Sequence, residues 1–153
     1  MQLTDLIPLE RIGCNVNANS KKRALEQLGE LLSTGESKIT STEVFDSLLN
    51  RERLGGTGVG HGVAIPHGRV QSSDVTLGAF IKLTQAVDFD AIDNQPVDLL
   101  FALIVPEHST EEHLQVLARI AAMFSDAEVR TKLRQAETAQ ELQKLIQKWQ
   151  QNH

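Results

Sequence analysis

The sequence has one cysteine, no tyrosine, one tryptophan and an aromatic fraction of only 4%. The single cysteine, Cys14, excludes an internal disulfide and any cysteine-based zinc site. With so few aromatic rings, a core has to be assembled from Leu, Ile, Val and Ala. Long apolar runs are absent too. The longest, Leu99 to Val105, is far short of the ~20 residues that cross a bilayer as a helix. The first residues, Met1-Gln2-Leu3-Thr4-Asp5, lack the basic start and apolar block of a signal peptide. A formal charge of −5 sets up no field that draws in nucleic acid or anionic lipid. The expected setting is therefore reducing and cytoplasmic, with no nucleic-acid partner and no membrane insertion. Nor does any repeat, low-complexity tract or linker divide the chain, so one domain over 1–153 is expected.

What is present is an ordinary globular balance, 41% apolar and 23% charged, with ten glycines unevenly placed. The order of elements reads as helices, then strands, then helices. After Ser20, Leu25, Leu28, Leu31 and Leu32 recur at helical spacing, and Gly35 supplies a stop. Lys21-Lys22-Arg23 falls on the polar face of that helix. Thr40 with Glu43 forms a capping box, followed by a stripe of Val44, Phe45, Leu48 and Leu49 that ends near Leu54-Gly55. Val75 to Leu83 alternates at period two, and Val87 to Phe89 is a weaker strand. Val97 to Val105, apolar almost throughout, predicts a strand buried on both faces. Ser109 with Glu112 predicts a capping box before Leu114, Leu117, Ala121 and Phe124. Asp126 caps a short helix, and Thr138 with Glu141 opens a last one through Leu142, Leu145, Ile146 and Trp149. The pattern predicts a helix-covered sheet of α/β or α+β class.

Six glycines (Gly55, Gly56, Gly58, Gly60, Gly62 and Gly68) crowd into the segment Arg51 to Arg69, together with His61 and His67. It is neither a P-loop nor a dinucleotide fingerprint. Glycine content alone fits a mobile surface loop equally well. Successive amides of such a loop can also converge on an anion, which makes Gly58, Gly60, Gly62 and Gly68 candidates for phosphate contact. Pro66 fixes its own φ and pushes Ile65 toward extended geometry. His67 therefore stands at the end of a stiff apolar piece, with Gly68 leaving space beside it, as either a reactive or a structural imidazole. His113 falls in the first turn of the helix after the buried strand. The amides there favour an anion and a neutral ring, although the position also suits a half-buried residue beside Val116 and Leu117. His108 and His153 read as solvated.

At this point the segment Arg51 to Gly68, with Gly-Val-Ala-Ile-Pro-His-Gly at 62–68, resembles the phosphorylation signature of the fructose/mannitol family of enzyme IIA proteins. These belong to the bacterial phosphoenolpyruvate-dependent phosphotransferase system. Phe89-Asp90-Ala91-Ile92-Asp93-Asn94-Gln95-Pro96-Val97-Asp98-Leu99-Leu100-Phe101-Ala102-Leu103 and Ser20-Lys21-Lys22-Arg23-Ala24-Leu25-Glu26 are similar to its nitrogen-regulatory branch. The resemblance covers nearly the whole chain. It implies a mixed sheet of about five strands with helices on both faces, His67 as the phosphorylated residue, and Arg51 and His113 as the polar groups facing it. One departure is His61, where many nitrogen-type members would carry asparagine. The chain stops without a fused IIB or transporter segment, which fits a stand-alone regulatory unit.

The implied chemistry needs an in-line approach, a neutral nitrogen and compensation for charge on the phosphoryl oxygens. The resemblance implies Nε2 of His67 as the attacking atom, with the other ring nitrogen held by an acceptor such as a backbone carbonyl. No cofactor is required. Leu54, Val59 and Val63 are candidates for an apolar docking rim. The implied donor is a nitrogen-type histidine phosphocarrier charged through an enzyme I. Potassium-transport control proteins and sensor kinases are the implied kind of target. Two alternatives stand beside this reading: a sugar-specific IIA that passes phosphate to a separate IIB, and a divalent-metal protein using His61, His67 and His113.

Overall fold

The computed structural model describes residues 2–109 and 111–153. A short helix α1 (Leu3–Leu6) and a single 3-10 turn lead into strand β1 (Ile12–Val16). Helices α2 (Lys21–Ser33) and α3 (Ser41–Leu54) follow, then the short strands β2 (Gly58–Gly60), β3 (Val63–Ala64) and β4 (His67–Val70). The long strands β5 (Leu77–Val87) and β6 (Val97–Pro106) precede helices α4 (Glu112–Phe124), α5 (Ala127–Gln135) and α6 (Ala139–Gln151).

Three of the four predicted caps form as read. The side chains of Thr40 and Thr138 accept from the backbone N–H three residues on, and Asp126 accepts from Glu128; Ser20 adds a cap of the same kind on Arg23. The Ser109–Glu112 box does not form. Helix α4 begins after Glu111 with no side-chain cap bond, and the Ser109 carbonyl accepts from the Arg69 guanidinium. The weak strand at 87–89 reduces to the end of β5. Phe89 instead plugs the core, fully buried.

Strand β6 is the centre of the sheet. It pairs antiparallel with β5 on one edge, and β5 pairs parallel with β1. On its other edge run β3 and β4, both parallel to it, and β2 folds back antiparallel on β3. Val63 faces Leu99 and His67 faces Leu103, so β3 and β4 keep one register along β6. They are a single ribbon interrupted at Ile65-Pro66, which is why six strands appear where about five were expected.

The apolar run of β6 divides by parity, as side chains alternate across a sheet. Leu99, Phe101, Leu103 and Val105 join Phe80 and the apolar faces of α1, α4, α5 and α6. Leu100, Ala102 and Ile104 join Ala79, Ile81 and the faces of α2 and α3. The sheet is therefore covered on both sides. Rings of Phe80, Phe101 and Phe124 meet with centroids 5.9–6.1 Å apart. His153 is exposed, as expected, while its ring stacks on Trp149 at 4.7 Å and lies 2.8 Å from the Trp149 carbonyl. Among the described residues no helix is long and apolar enough to cross a membrane.

Candidate functional site

Where the β3–β4 ribbon breaks, one backbone carbonyl loses its ladder partner. Pro66 accepts from Leu103 N–H at 2.9 Å, keeping the ribbon on β6. On the outer edge, Ile65 N–H still reaches the Thr57 carbonyl at 3.0 Å, just before β2 begins. The Ile65 carbonyl, one step further on, is met by the His67 imidazole, whose Nδ1 lies 2.9 Å away. A carbonyl only accepts, so Nδ1 carries the proton and Nε2 carries the lone pair. A backbone carbonyl was the expected acceptor, and it is that of Ile65.

His67 faces a cavity of about 340 Å³ between α3, β4 and the start of α4, shared with Arg51, Leu54, Gly68, Arg69 and His113. Burial pushes the His67 pKa below its ordinary value of 6.5, and the nearby Arg51 and His113 push the same way. The Ile65 bond and the Glu52 carboxylate oppose that shift. The net direction favours a neutral ring, the form that can act as a nucleophile.

Helix α3 reaches this cavity because Gly68 has no side chain. A Cβ there would lie 2.2 Å from Ser47 Oγ and 3.1 Å from the Ser47 carbonyl. Ser47 Oγ donates to the Arg69 carbonyl at 2.7 Å, locking helix to strand. Arg51, one turn beyond Ser47, is thereby carried to the cavity, where its Nη1 donates to the Gly55 carbonyl at 2.7 Å. The space expected beside His67 is thus occupied by α3.

The other three glycines do not line the cavity. Gly58 packs against Ala91, where a Cβ would sit 2.8 Å from the Ala91 Cβ. His61 and Gly62 turn the β2–β3 hairpin with φ of 59° and 76°, the positive values that a type I′ turn demands. Arg134 clasps this turn, bonding the His61 carbonyl at 2.5 Å and the Asp98 carboxylate at 3.0–3.1 Å. His61 N–H donates to Asp93 at 2.9 Å, and that bond with the one from Gln95 N–H lowers the Asp93 pKa. His61 therefore belongs to a turn rather than to the His67 cavity. Among the described residues no three His, Cys, Asp or Glu side chains converge to hold a metal.

Of the expected docking residues, Leu54 is 85% exposed at the cavity rim and Val59 is 44% exposed on β2. Val63 is 1% exposed. It points into the core beneath the sheet, so it offers no surface to a partner. Ile92, 80% exposed, was not foreseen.

Arg69 was overlooked as well. Its Nη1 donates to the Glu107 carbonyl at 2.9 Å and to that of Ser109, and its Nη2 lies 3.4 Å from His113 Nε2. The period-two spacing from His67 would have placed it on the same side of β4. Since the guanidinium only donates, His113 Nε2 accepts and the proton rests on Nδ1, a buried atom without a partner among the described residues.

Residues 5–149 match the family model "Phosphoenolpyruvate-dependent sugar phosphotransferase system, EIIA 2". The chain belongs to this family. Membership makes it a phosphotransfer component with a phosphocarrier or regulatory role. It is 44% identical over 146 residues to a nitrogen regulatory protein of Pseudomonas aeruginosa, covering 95% of each chain. The fold superposes with a TM-score of 0.89 on the crystal structure of nitrogen regulatory protein IIA-Ntr from Neisseria meningitidis, at 42% identity, covering 94% of this chain and 98% of that one. It is also similar, with a TM-score of 0.75 and 25% identity, to the Escherichia coli complex of mannitol enzyme IIA with phosphorylated enzyme IIB, covering 91% of this chain and 95% of the matched one.

Proposed function

We propose that this IIA component accepts a phosphoryl group on Nε2 of His67 and that its phosphorylation state controls target proteins. The observation that carries the reading is the 2.9 Å bond from His67 Nδ1 to the Ile65 carbonyl. With the proton committed there, the Nε2 lone pair attacks phosphorus of an incoming phosphohistidine. The P–N bond to the donor ring breaks, and the electron pair leaves with the donor nitrogen. No proton has to move during the transfer. Arg51 supplies a permanent positive charge for the phosphoryl oxygens, in the forked geometry suited to them. His113 supplies a polar ring at the cavity wall, steadied by Arg69.

The donor is a nitrogen-type histidine phosphocarrier in the cytoplasm, docked on Leu54 and Val59 and charged from phosphoenolpyruvate through an enzyme I. The targets are potassium-transport control proteins or sensor kinases, for which the added charge decides docking. Similarity to nitrogen regulatory proteins at 44% identity supports this regulatory reading. Similarity to the mannitol IIA–IIB pair supports a second one, in which phosphate passes on to a IIB protein.

The test is incubation with phosphoenolpyruvate, enzyme I and the carrier, read by intact mass and acid lability. One acid-labile phosphate on the wild type and none on His67→Ala is the expected result. Normal labelling of His67→Ala overturns the assignment. Adding fructose- or mannitol-type IIB proteins separates the two readings, since only a sugar-pathway IIA loses its label to them.

A further inference from the structure

Glu52 is a charged group buried beside the His67 cavity without lining it. Its side chain is 3% exposed. One carboxylate oxygen accepts from Thr57 N–H at 3.3 Å and from Lys21 Nζ at 3.0 Å. The other accepts from the Thr57 hydroxyl. Lys21 also donates to the Phe89 carbonyl at 3.4 Å and stands 4.7 Å over the Phe89 ring, with Asp90 at 3.7 Å. It is therefore not the solvated end of a basic run but an anchor that joins α2, α3 and the segment before β6.

Thr57 passes this anchorage to the site. Its carbonyl takes Ile65 N–H at 3.0 Å, and the Ile65 carbonyl takes the Nδ1 proton of His67 at 2.9 Å. An unbroken series of contacts runs from Lys21 through Glu52, Thr57 and Ile65 to the imidazole. Taking a carboxylate out of water is costly even when it is paired. Both carboxylate oxygens are engaged at once, by Lys21, the Thr57 amide and the Thr57 hydroxyl, so charge and acceptor geometry act together here.

We propose that Glu52 is the positioning residue of His67: by fixing Thr57 and hence the Ile65 carbonyl, it holds the ring with Nδ1 protonated and Nε2 aimed into the cavity. The inference rests on the reading of His67 as phosphoryl acceptor. Its charge has a second effect. Glu52 favours the protonated ring, against Arg51 and His113 on the cavity side and against burial, and so keeps the nitrogen basic enough to attack.

The test uses the full chain with Glu52→Gln and Thr57→Val, read first on the free protein by ¹⁵N chemical shifts of the His67 ring across a pH titration. In Glu52→Gln the Nδ1-protonated tautomer is expected to lose population and the titration midpoint to fall. In Thr57→Val the tautomer shifts less and the midpoint stays, because the charge remains. Phosphoryl acceptance is expected to drop roughly tenfold in Glu52→Gln, in line with the loss of an outer partner that orients an imidazole. A folded Glu52→Gln with wild-type ring shifts and midpoint overturns the proposal. Should that variant not fold, unchanged ring shifts in Thr57→Val overturn it instead. If the ring shifts move as expected but the wild type takes no phosphate, the acceptor reading fails while the positioning of the ring stands.

Discussion

The crowded segment from Gly55 to Arg69 contains two regions that look alike in sequence and are used in opposite ways. In Gly58–Gly62, glycine serves the backbone: it lets β2 lie against Ala91, and it turns the hairpin under the Arg134 clasp. In Ile65–Arg69, glycine serves a neighbouring helix. Gly68 admits Ser47, and with Ser47 comes Arg51. The first region is a fitted support and the second is the proposed reactive edge. Glycine frequency does not separate them, because absence of a Cβ permits a left-handed turn and a close approach alike.

The sharpest way to break the comparison is to delete the reactive edge alone. His67→Ala should lose all acid-labile label while retaining its thermal unfolding midpoint within about 2 °C, since a half-buried ring is removed without disturbing the hairpin. Next in size, Arg51→Ala should slow phosphoryl acceptance by about 10²-fold, the usual effect of losing a preorganised charge at developing phosphoryl oxygens. Unchanged single-turnover rates would reduce Arg51 to a cap on Gly55.

The support region predicts the reverse pattern. Gly62→Ala should cost about 2 kcal/mol, from a positive φ of 76° and a Cβ placed 2.4 Å from Arg134 Nη2. Denaturant unfolding measures this, and the labelling rate of the folded fraction should stay at the wild-type value. A rate that collapses with stability would show that hairpin and site are one unit.

A subtler effect is expected from pH. Because the His67 pKa lies below 6.5, acceptance should keep more than half of its pH 8 rate at pH 6.5 and reach its half-point only below it, as protonation removes the Nε2 lone pair. The same sign applies to stability: below 6.5 the unfolded chain binds the proton more readily, so His67 weakens the fold on acidification. An acceptance rate that already halves above pH 6.5 would contradict the direction of the shift. Smallest of all, His61→Asn should raise stability by about 0.5 kcal/mol, since asparagine tolerates a φ of 59° better than histidine. Labelling should not respond.

Much of the fold was legible because its signals are local. Thr40 and Thr138 announce helix starts three residues before their partners, and the alternation through Leu77–Leu83 identifies β5. His67 was singled out by its stiff neighbours and, through the family resemblance, as the proposed acceptor. Val63 was misjudged for a related reason: it adjoins the reactive segment in sequence, but the parity of β3 turns it into the core. Ser109 is not the cap: the helix begins two residues later, after Glu111, and the Ser109 carbonyl accepts from Arg69, forty residues back.

The sequence by itself determined the order of helices and strands, the double burial of β6 and the stiff setting of His67. Those follow from periodicity, capping chemistry and the restraint of Pro66. Only the tertiary structure decided which nitrogen of His67 is free, that Arg69 steadies His113, and that Lys21 and Glu52 stand behind the site. Each of these depends on a polar group that must find its partner from a distant part of the chain once water is excluded. No local pattern records where such a partner comes from.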